Sequence, residues 1–203
     1  YVSHATFIQN PLLLTIMLLT FEQYAEVPSK MHQFYREAFA ALSVKHDASK
    51  GAYKRTLKTG LTAERLADYF AEFCCRSYYD EKFEMTEDEF SKYYNSLKER
   101  EKANDRTTTA GDFLYDLCSN ICLMYFESGK YYFTHRSFQE YFCALYFSKQ
   151  KDKNLESIGD FFENRHNRMY GDRTFNMLYD MIQDKVEEYI FLPFLTRLYE
   201  RCD

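Results

Sequence analysis

Apolar residues recur at intervals of three and four along most of the chain, which is the spacing of one face of a helix. The first run starts at Asn10-Pro11 and predicts a helix to about residue 25. Asn can accept a hydrogen bond from a free backbone N–H, and Pro fits the first helical turn. Residues 27–29 then interrupt the chain, and similar patterns predict helices over 31–44 and 62–79.

Besides these helices, the sequence contains a predicted loop and a signal for a further helix start. Residues 46–59 are rich in Lys and weakly periodic, and they predict a loop. Thr86 and Glu89 have the spacing of a capping box, in which a hydroxyl and a carboxylate each bind a backbone N–H at a helix start. We therefore expect a helix from Thr86 to about residue 102, followed by a shorter helix over 109–119.

The period then changes to that of extended strands. Two aromatic runs, 122–126 and 131–134, flank Ser128-Gly129 and predict a β-hairpin. Ser137 and Glu140 have the spacing of a second capping box and predict a helix to about residue 147.

The remaining residues predict further helices. Charged residues 149–153 read as a linker, and helices are expected over 155–163, 173–184 and 186–201, with a distortion at Pro193. The fold class is therefore mainly α: a helical domain, a winged-helix-like unit with one hairpin, and additional helices. We place the three units at 1–55, 56–150 and 151–203.

Charge, cysteine spacing and hydropathy disfavour several classes of function. The 203 residues carry a net charge of −5, so the chain lacks the overall positive charge expected of a protein that binds nucleic acid or anionic lipid. The six cysteines form no C-x-x-C pair and no zinc spacing, which favours a reducing, cytoplasmic location and no metal site. The apolar run 11–21 is too short for a membrane span.

Catalytic motifs are missing from the sequence. It contains no G-x-x-x-x-G-K-[ST] phosphate loop, no G-x-S-x-G and no H-E-x-x-H. We therefore expect no catalytic residue, no metal ligand and no enzymatic activity in the isolated chain, and no nucleotide or other cofactor held by it alone.

One segment resembles a known family. The run Tyr131-Tyr132-Phe133-Thr134-His135-Arg136-Ser137-Phe138-Gln139-Glu140-Tyr141-Phe142 is similar to the winged-helix signature of NACHT-type STAND NTPases, which include bacterial NACHT proteins and animal NOD-like receptors. Asn10-Pro11-Leu12-Leu13-Leu14 resembles the start of their first helical domain, and His46-Asp47, 55–61 and 116–123 support the resemblance in the same order. It covers about residues 8–150.

The resemblance implies a longer parent protein. Its nucleotide-binding domain would precede Tyr1 and bind ADP or ATP with Mg, and the chain, which starts without Met, would be an excised part of it. In this family the proline matching Pro11 lies against the base, and the histidine matching His135 contacts the terminal phosphate of ADP. The implied role is gating of ADP/ATP exchange and homo-oligomerisation of the parent in defence signalling.

The residues alone leave other interpretations open. Pro11 could simply start a helix, and His135 could be satisfied by backbone at the end of the hairpin. The alternative function is a stand-alone winged-helix module that binds nucleic acid or another protein. Nucleic acid is disfavoured because the helix before the hairpin carries Asp112 and Asp116 and no basic residue.

Overall fold

A computed structural model of the chain describes residues 10–25, 28–48, 57–98, 108–164 and 171–202. It is mainly helical with one small antiparallel sheet, which confirms the predicted fold class. The helices are α1 (Pro11–Tyr24), α2 (Met31–Ala48), α3 (Ala63–Tyr79), α4 (Glu87–Lys98), α5 (Ala110–Tyr115), α6 (Arg136–Ser148), α7 (Asp152–Glu163), α8 (Thr174–Met181), α9 (Gln183–Val186) and α10 (Leu192–Cys202). The strands are β1 (Glu84–Met85), β2 (Met124–Glu127) and β3 (Lys130–Phe133).

The predicted start of α1 is confirmed. The Asn10 side chain accepts hydrogen bonds from the backbone N–H groups of Leu12 at 3.0 Å and Leu13 at 3.2 Å, and Pro11 occupies the first helical position. Helix α2 extends beyond its predicted end and continues to Ala48. The predicted loop therefore begins later than residue 46, because neither Gly nor Pro interrupts the helix there, and residues 49–56 lie outside the described part of the chain.

The predicted hairpin is confirmed, with Glu127 opposite Lys130 and Met124 opposite Phe133. Ser128 and Gly129 both have positive φ, 50° and 83°, as a two-residue type I′ turn requires. The sheet also contains β1, which pairs antiparallel with β3 and gives the strand order β1-β3-β2. The sequence pattern did not predict β1, because two residues are too few to show the alternation of a strand.

The core between α3, α6 and the sheet is built largely from aromatic rings. Helix α3 packs extensively against α6, where the rings of Phe70 and Phe142 meet edge to face at 4.8 Å. Phe133 from β3 packs near Phe70 and Phe73. These contacts pack the corner between β3 and α6 against α3.

A buried carboxylate ties the chain before α3 to the end of α5. Asp116 begins a π-helical turn, Asp116–Asn120, that extends α5, and its residue is fully buried. It accepts hydrogen bonds from the backbone N–H of Lys58 at 2.8 Å and of Thr59 at 2.9 Å, and from the Thr59 hydroxyl at 2.7 Å. The Asn120 amide is a fourth donor. Asp116 is thus an internal structural residue.

The C-terminal helices follow α6 more closely than predicted, since α7 begins at Asp152 within the expected linker. The distortion expected at Pro193 takes the form of a second π-helical turn, Glu187–Phe191, between α9 and α10. Pro193 has no N–H and its ring crowds the carbonyl four residues earlier, so a wider turn before it relieves the conflict.

The buried apolar side chains form a cluster that extends from Leu13 to Ile190 and crosses the boundaries predicted at residues 55 and 150. Those boundaries stay a prediction. None of the helices in the described ranges combines the length and apolar character that a membrane-crossing helix needs.

Candidate functional site

His135 lies at the corner where β3 gives way to α6, and its side chain caps that helix. Its backbone is extended, with φ −149° and ψ 137°, and Nδ1 accepts a hydrogen bond from the Ser137 backbone N–H at 3.2 Å. The Ser137 hydroxyl also bonds to Nδ1. The capping box predicted from Ser137 and Glu140 is therefore wrong, because the helix starts at Arg136 and Ser137 already lies inside it.

The capping role fixes the protonation state of the imidazole. Nδ1 accepts hydrogen bonds, so the ring proton of the neutral form sits on Nε2. Burial lowers the pKa of His135, which further favours this neutral form. The ring therefore offers one N–H donor, Nε2–H, beside the first turn of a helix of 13 residues, where the backbone N–H groups carry partial positive charge.

Arg136, the next residue, is held by two carboxylates. Its Nε lies 3.1 Å from Glu140 Oε1, and its terminal nitrogen lies 3.5 Å from Asp172 Oδ2. The guanidinium also covers the ring of Phe83 at 4.4 Å from the centroid. The positive charge of Arg136 is therefore paired with groups of the chain itself.

The two carboxylates are almost fully buried, with side chains 5% and 6% exposed. Asp172 accepts hydrogen bonds from the Tyr78 hydroxyl at 2.8 Å and the Thr174 backbone N–H at 2.9 Å. Glu140 accepts one from the Arg173 backbone N–H at 3.3 Å. Burial, and then the nearby charge of Asp172, raise the pKa of Glu140 to about 7.

The cluster of Arg136, Glu140 and Asp172 was not predictable from the sequence pattern. Arg136 and Glu140 are four residues apart, which is a helical ion-pair spacing, but the same Glu also fitted the capping box. Nothing local to Glu140 indicated Asp172, which precedes α8. The cluster joins the start of α6, beside His135, to the start of α8.

As the pH rises, the Glu140→Gln variant should gain stability relative to the native chain. A carboxyl with a raised pKa keeps its proton when folded, while the unfolded chain releases it near its usual 4.5. Native stability should therefore decline between about pH 4.5 and 7, and the Gln variant should lack this decline. Between pH 4.5 and 8, the free energy of unfolding of the variant, measured with urea, should rise by about 2–3 kcal/mol relative to that of the native chain.

Glu127→Gln, on the exposed hairpin turn, is the matched control for loss of one carboxylate. It should show no such pH-dependent difference. A constant difference between native chain and Glu140→Gln across the range would show that Arg136 keeps Glu140 ionised throughout.

Pro11, the second predicted site residue, lies exposed at the start of α1. Its carbonyl accepts a hydrogen bond from the Thr15 hydroxyl at 2.8 Å, within the same helix. No hydrogen bond among the described residues joins Pro11 to His135. In that part of the chain, no group of three or more His, Cys, Asp or Glu side chains is arranged to hold a metal ion.

Comparison with known proteins gives one match. A family model described as Short NACHT-associated C-Terminal domain, family 14, matches residues 179–203, a segment that contains α9, the second π-helical turn and α10. No curated protein and no solved structure matches the chain. The segment is thus similar to a domain that accompanies NACHT domains, which supports the expected association with a NACHT protein.

Proposed function

We propose that this chain is the regulatory helical and winged-helix segment of a NACHT-type NTPase, and that His135 contacts the nucleotide held by a preceding domain of the same protein. One observation carries the proposal: His135 uses Nδ1 to cap α6 and keeps Nε2–H as a donor at a helix N-terminus. The NACHT-associated match at residues 179–203 supports the class of protein.

The order of elements supports the winged-helix part of the proposal. Helices α3, α4 and α5 precede the β2–β3 hairpin, and β1 lies between α3 and α4. The strand order β1-β3-β2 places the hairpin beside the short first strand, as in winged-helix units. Helix α6 then follows directly and carries the candidate site at its start.

The charges disfavour the nucleic-acid alternative. Helix α5 and its π-helical extension, 110–120, contain no Lys or Arg. Asp116 is buried there, and Asp112 pairs with Lys58 at 3.3 Å. In the hairpin, Lys130 is paired with Glu84. A winged helix with this surface lacks the phosphate contacts that give affinity for DNA.

In the proposed mechanism, Nε2–H of His135 donates to the terminal phosphate of ADP in the resting protein. Nucleotide exchange for ATP adds a phosphate where the imidazole would lie, so the corner separates from the nucleotide. The Arg136, Glu140 and Asp172 cluster transmits this displacement to α8 and the helices that follow. Oligomerisation of the parent protein would follow from the open state.

Two substitutions separate the capping role of His135 from its proposed contact with nucleotide. His135→Ala removes both, and should cost about 1 kcal/mol of stability through loss of the cap. His135→Asn keeps a side chain that caps well but removes the imidazole, so the isolated chain should retain its native stability. Urea unfolding of both variants is the measurement.

In the longer protein that the proposal requires, both variants should release ADP faster than the native protein does. Faster release only in His135→Ala would assign the effect to loss of the cap. The proposal would then lose its main support.

A further inference from the structure

A ring-lined cavity of about 600 Å³ lies among α7, α8, the second π-helical turn and α10. Its walls include Phe161, Phe162, Phe175 and Phe191. Successive rings along this wall are in contact, at centroid distances of 5.3, 4.9 and 5.9 Å. Tyr78 and Asp172 also line the cavity, so it borders the Arg136, Glu140 and Asp172 cluster beside the His135 corner. Its α10 wall lies within the segment matched by the NACHT-associated family.

The walls of the cavity differ in how closely they pack. Helix α7 touches the π-helical turn so tightly that a Cβ on Gly159 would lie 2.8 Å from Ile190 Cγ2. Helix α10, in contrast, buries none of its residues, although Phe194 and Leu198 line the cavity. Helix α10 is thus positioned beside α7 without closing the apolar space between them.

Ion pairs hold α10 at this distance. The Arg197 guanidinium bonds to Glu156 at 3.2 Å, to Asp160 at 3.0 Å and to Glu163 at 3.3 Å, all on α7. Of the charged residues that line the cavity, Glu156, Glu163 and Asp172 are acidic and Arg197 and Arg201 are basic. Asp160 also bonds to Arg197, so acidic groups outnumber basic ones there. An anionic ligand would be repelled there, whereas a neutral or cationic one would not.

The size of the cavity indicates what kind of partner it suits. Pockets of about 300–1,000 Å³ hold single small molecules and are mostly apolar, with a few polar groups at the edge. A stable protein interface needs about 800 Å² from each partner, far more than these walls offer. Flat aromatic walls favour a planar ligand that stacks on, or meets edgewise, the phenylalanine rings.

We propose that this cavity binds a small, planar, apolar molecule without negative charge, and that α10 is the movable wall of the site. The ligand would supply the apolar contacts that α10 lacks. Binding should therefore bring α10 closer to α7, in the segment similar to the NACHT-associated domain.

The neutral fluorescent probe N-phenyl-1-naphthylamine tests this proposal on the native chain. We expect saturable binding of one probe per chain, with increased and blue-shifted emission. Leu198→Trp, which fills the cavity from α10, should weaken binding at least tenfold. The matched control is Leu195→Trp on the same helix, which is 56% exposed and does not line the cavity. It should bind as the native chain does.

Asn176→Trp fills the cavity from the opposite wall, on α8, and should reproduce the loss if Leu198→Trp alters the fold. The anionic probe 1-anilinonaphthalene-8-sulfonate should bind at least tenfold more weakly than the neutral probe. Absence of saturable binding, equal loss in Leu195→Trp and Leu198→Trp, or tighter binding of the anion would overturn the proposal. So would a dimer in sedimentation that excludes the probe, because a second copy would then occupy the space.

Discussion

Replacing Phe138 with Ala should lower the free energy of unfolding by about 3–5 kcal/mol. Phe138 is 0% exposed and its ring meets that of Tyr35 edge to face at 5.2 Å. The substitution removes a large apolar side chain and leaves a void between α6 and α2, which closely packed neighbours fill only in part. Urea unfolding followed by circular dichroism measures the loss.

Phe126→Ala on the hairpin is the matched control, because the native side chain is 61% exposed. It should change stability by less than about 0.5 kcal/mol. A loss of under about 1 kcal/mol for Phe138→Ala would mean that α6 does not pack against α2 as described.

Asp116→Asn should destabilise the chain by about 3 kcal/mol, although the two side chains have nearly the same shape. The carboxylate accepts from Lys58 N–H, Thr59 N–H and the Thr59 hydroxyl, and an amide group must turn its own N–H₂ toward some of these donors. Buried donors that lose their acceptor carry the full desolvation penalty. Urea unfolding at constant pH gives the difference.

Asp112→Asn, one turn earlier on α5, is the control. Asp112 accepts a hydrogen bond from the Thr109 hydroxyl at 2.7 Å and pairs with Lys58 at the surface. Because surface pairs contribute little, the Asp112→Asn variant should lose much less stability than Asp116→Asn. Equal effects at the two positions would contradict the view that the Asp116 carboxylate is the tie between the segment before α3 and the end of α5.

The features that the sequence predicted are those encoded within a few residues. Asn10 caps α1, and Thr86 with Glu89 forms a true capping box, in which Thr86 N–H donates to Glu89 at 2.9 Å. Ser128-Gly129 specifies its turn through positive φ at both positions. Each signal and its structural consequence lie on the same short stretch, so no knowledge of the tertiary fold is needed.

Features that depend on distant partners were not predictable in this way. Asp116 bonds to Lys58 and Thr59, which precede it by 58 and 57 positions. Asp172, which pairs with Arg136, lies after α7 in the chain. The prediction of a second capping box was wrong because His135, which is not among the usual capping residues, is the N-cap and accepts the hydrogen bond of the Ser137 N–H. The resemblance to NACHT proteins selected His135, but only the structure showed that its Nδ1 is already occupied.

The central claim is tested most directly by the rate of ADP release from the longer protein that the proposal requires, compared between its native form and His135→Asn. Asn preserves the cap of α6, so the comparison isolates the imidazole Nε2–H. If His135 contacts the terminal phosphate, loss of one hydrogen bond to a charged group should speed release by about 10-fold or more, with an unchanged melting temperature. Identical release rates in the two proteins would contradict the claim and leave His135 as a helix cap alone.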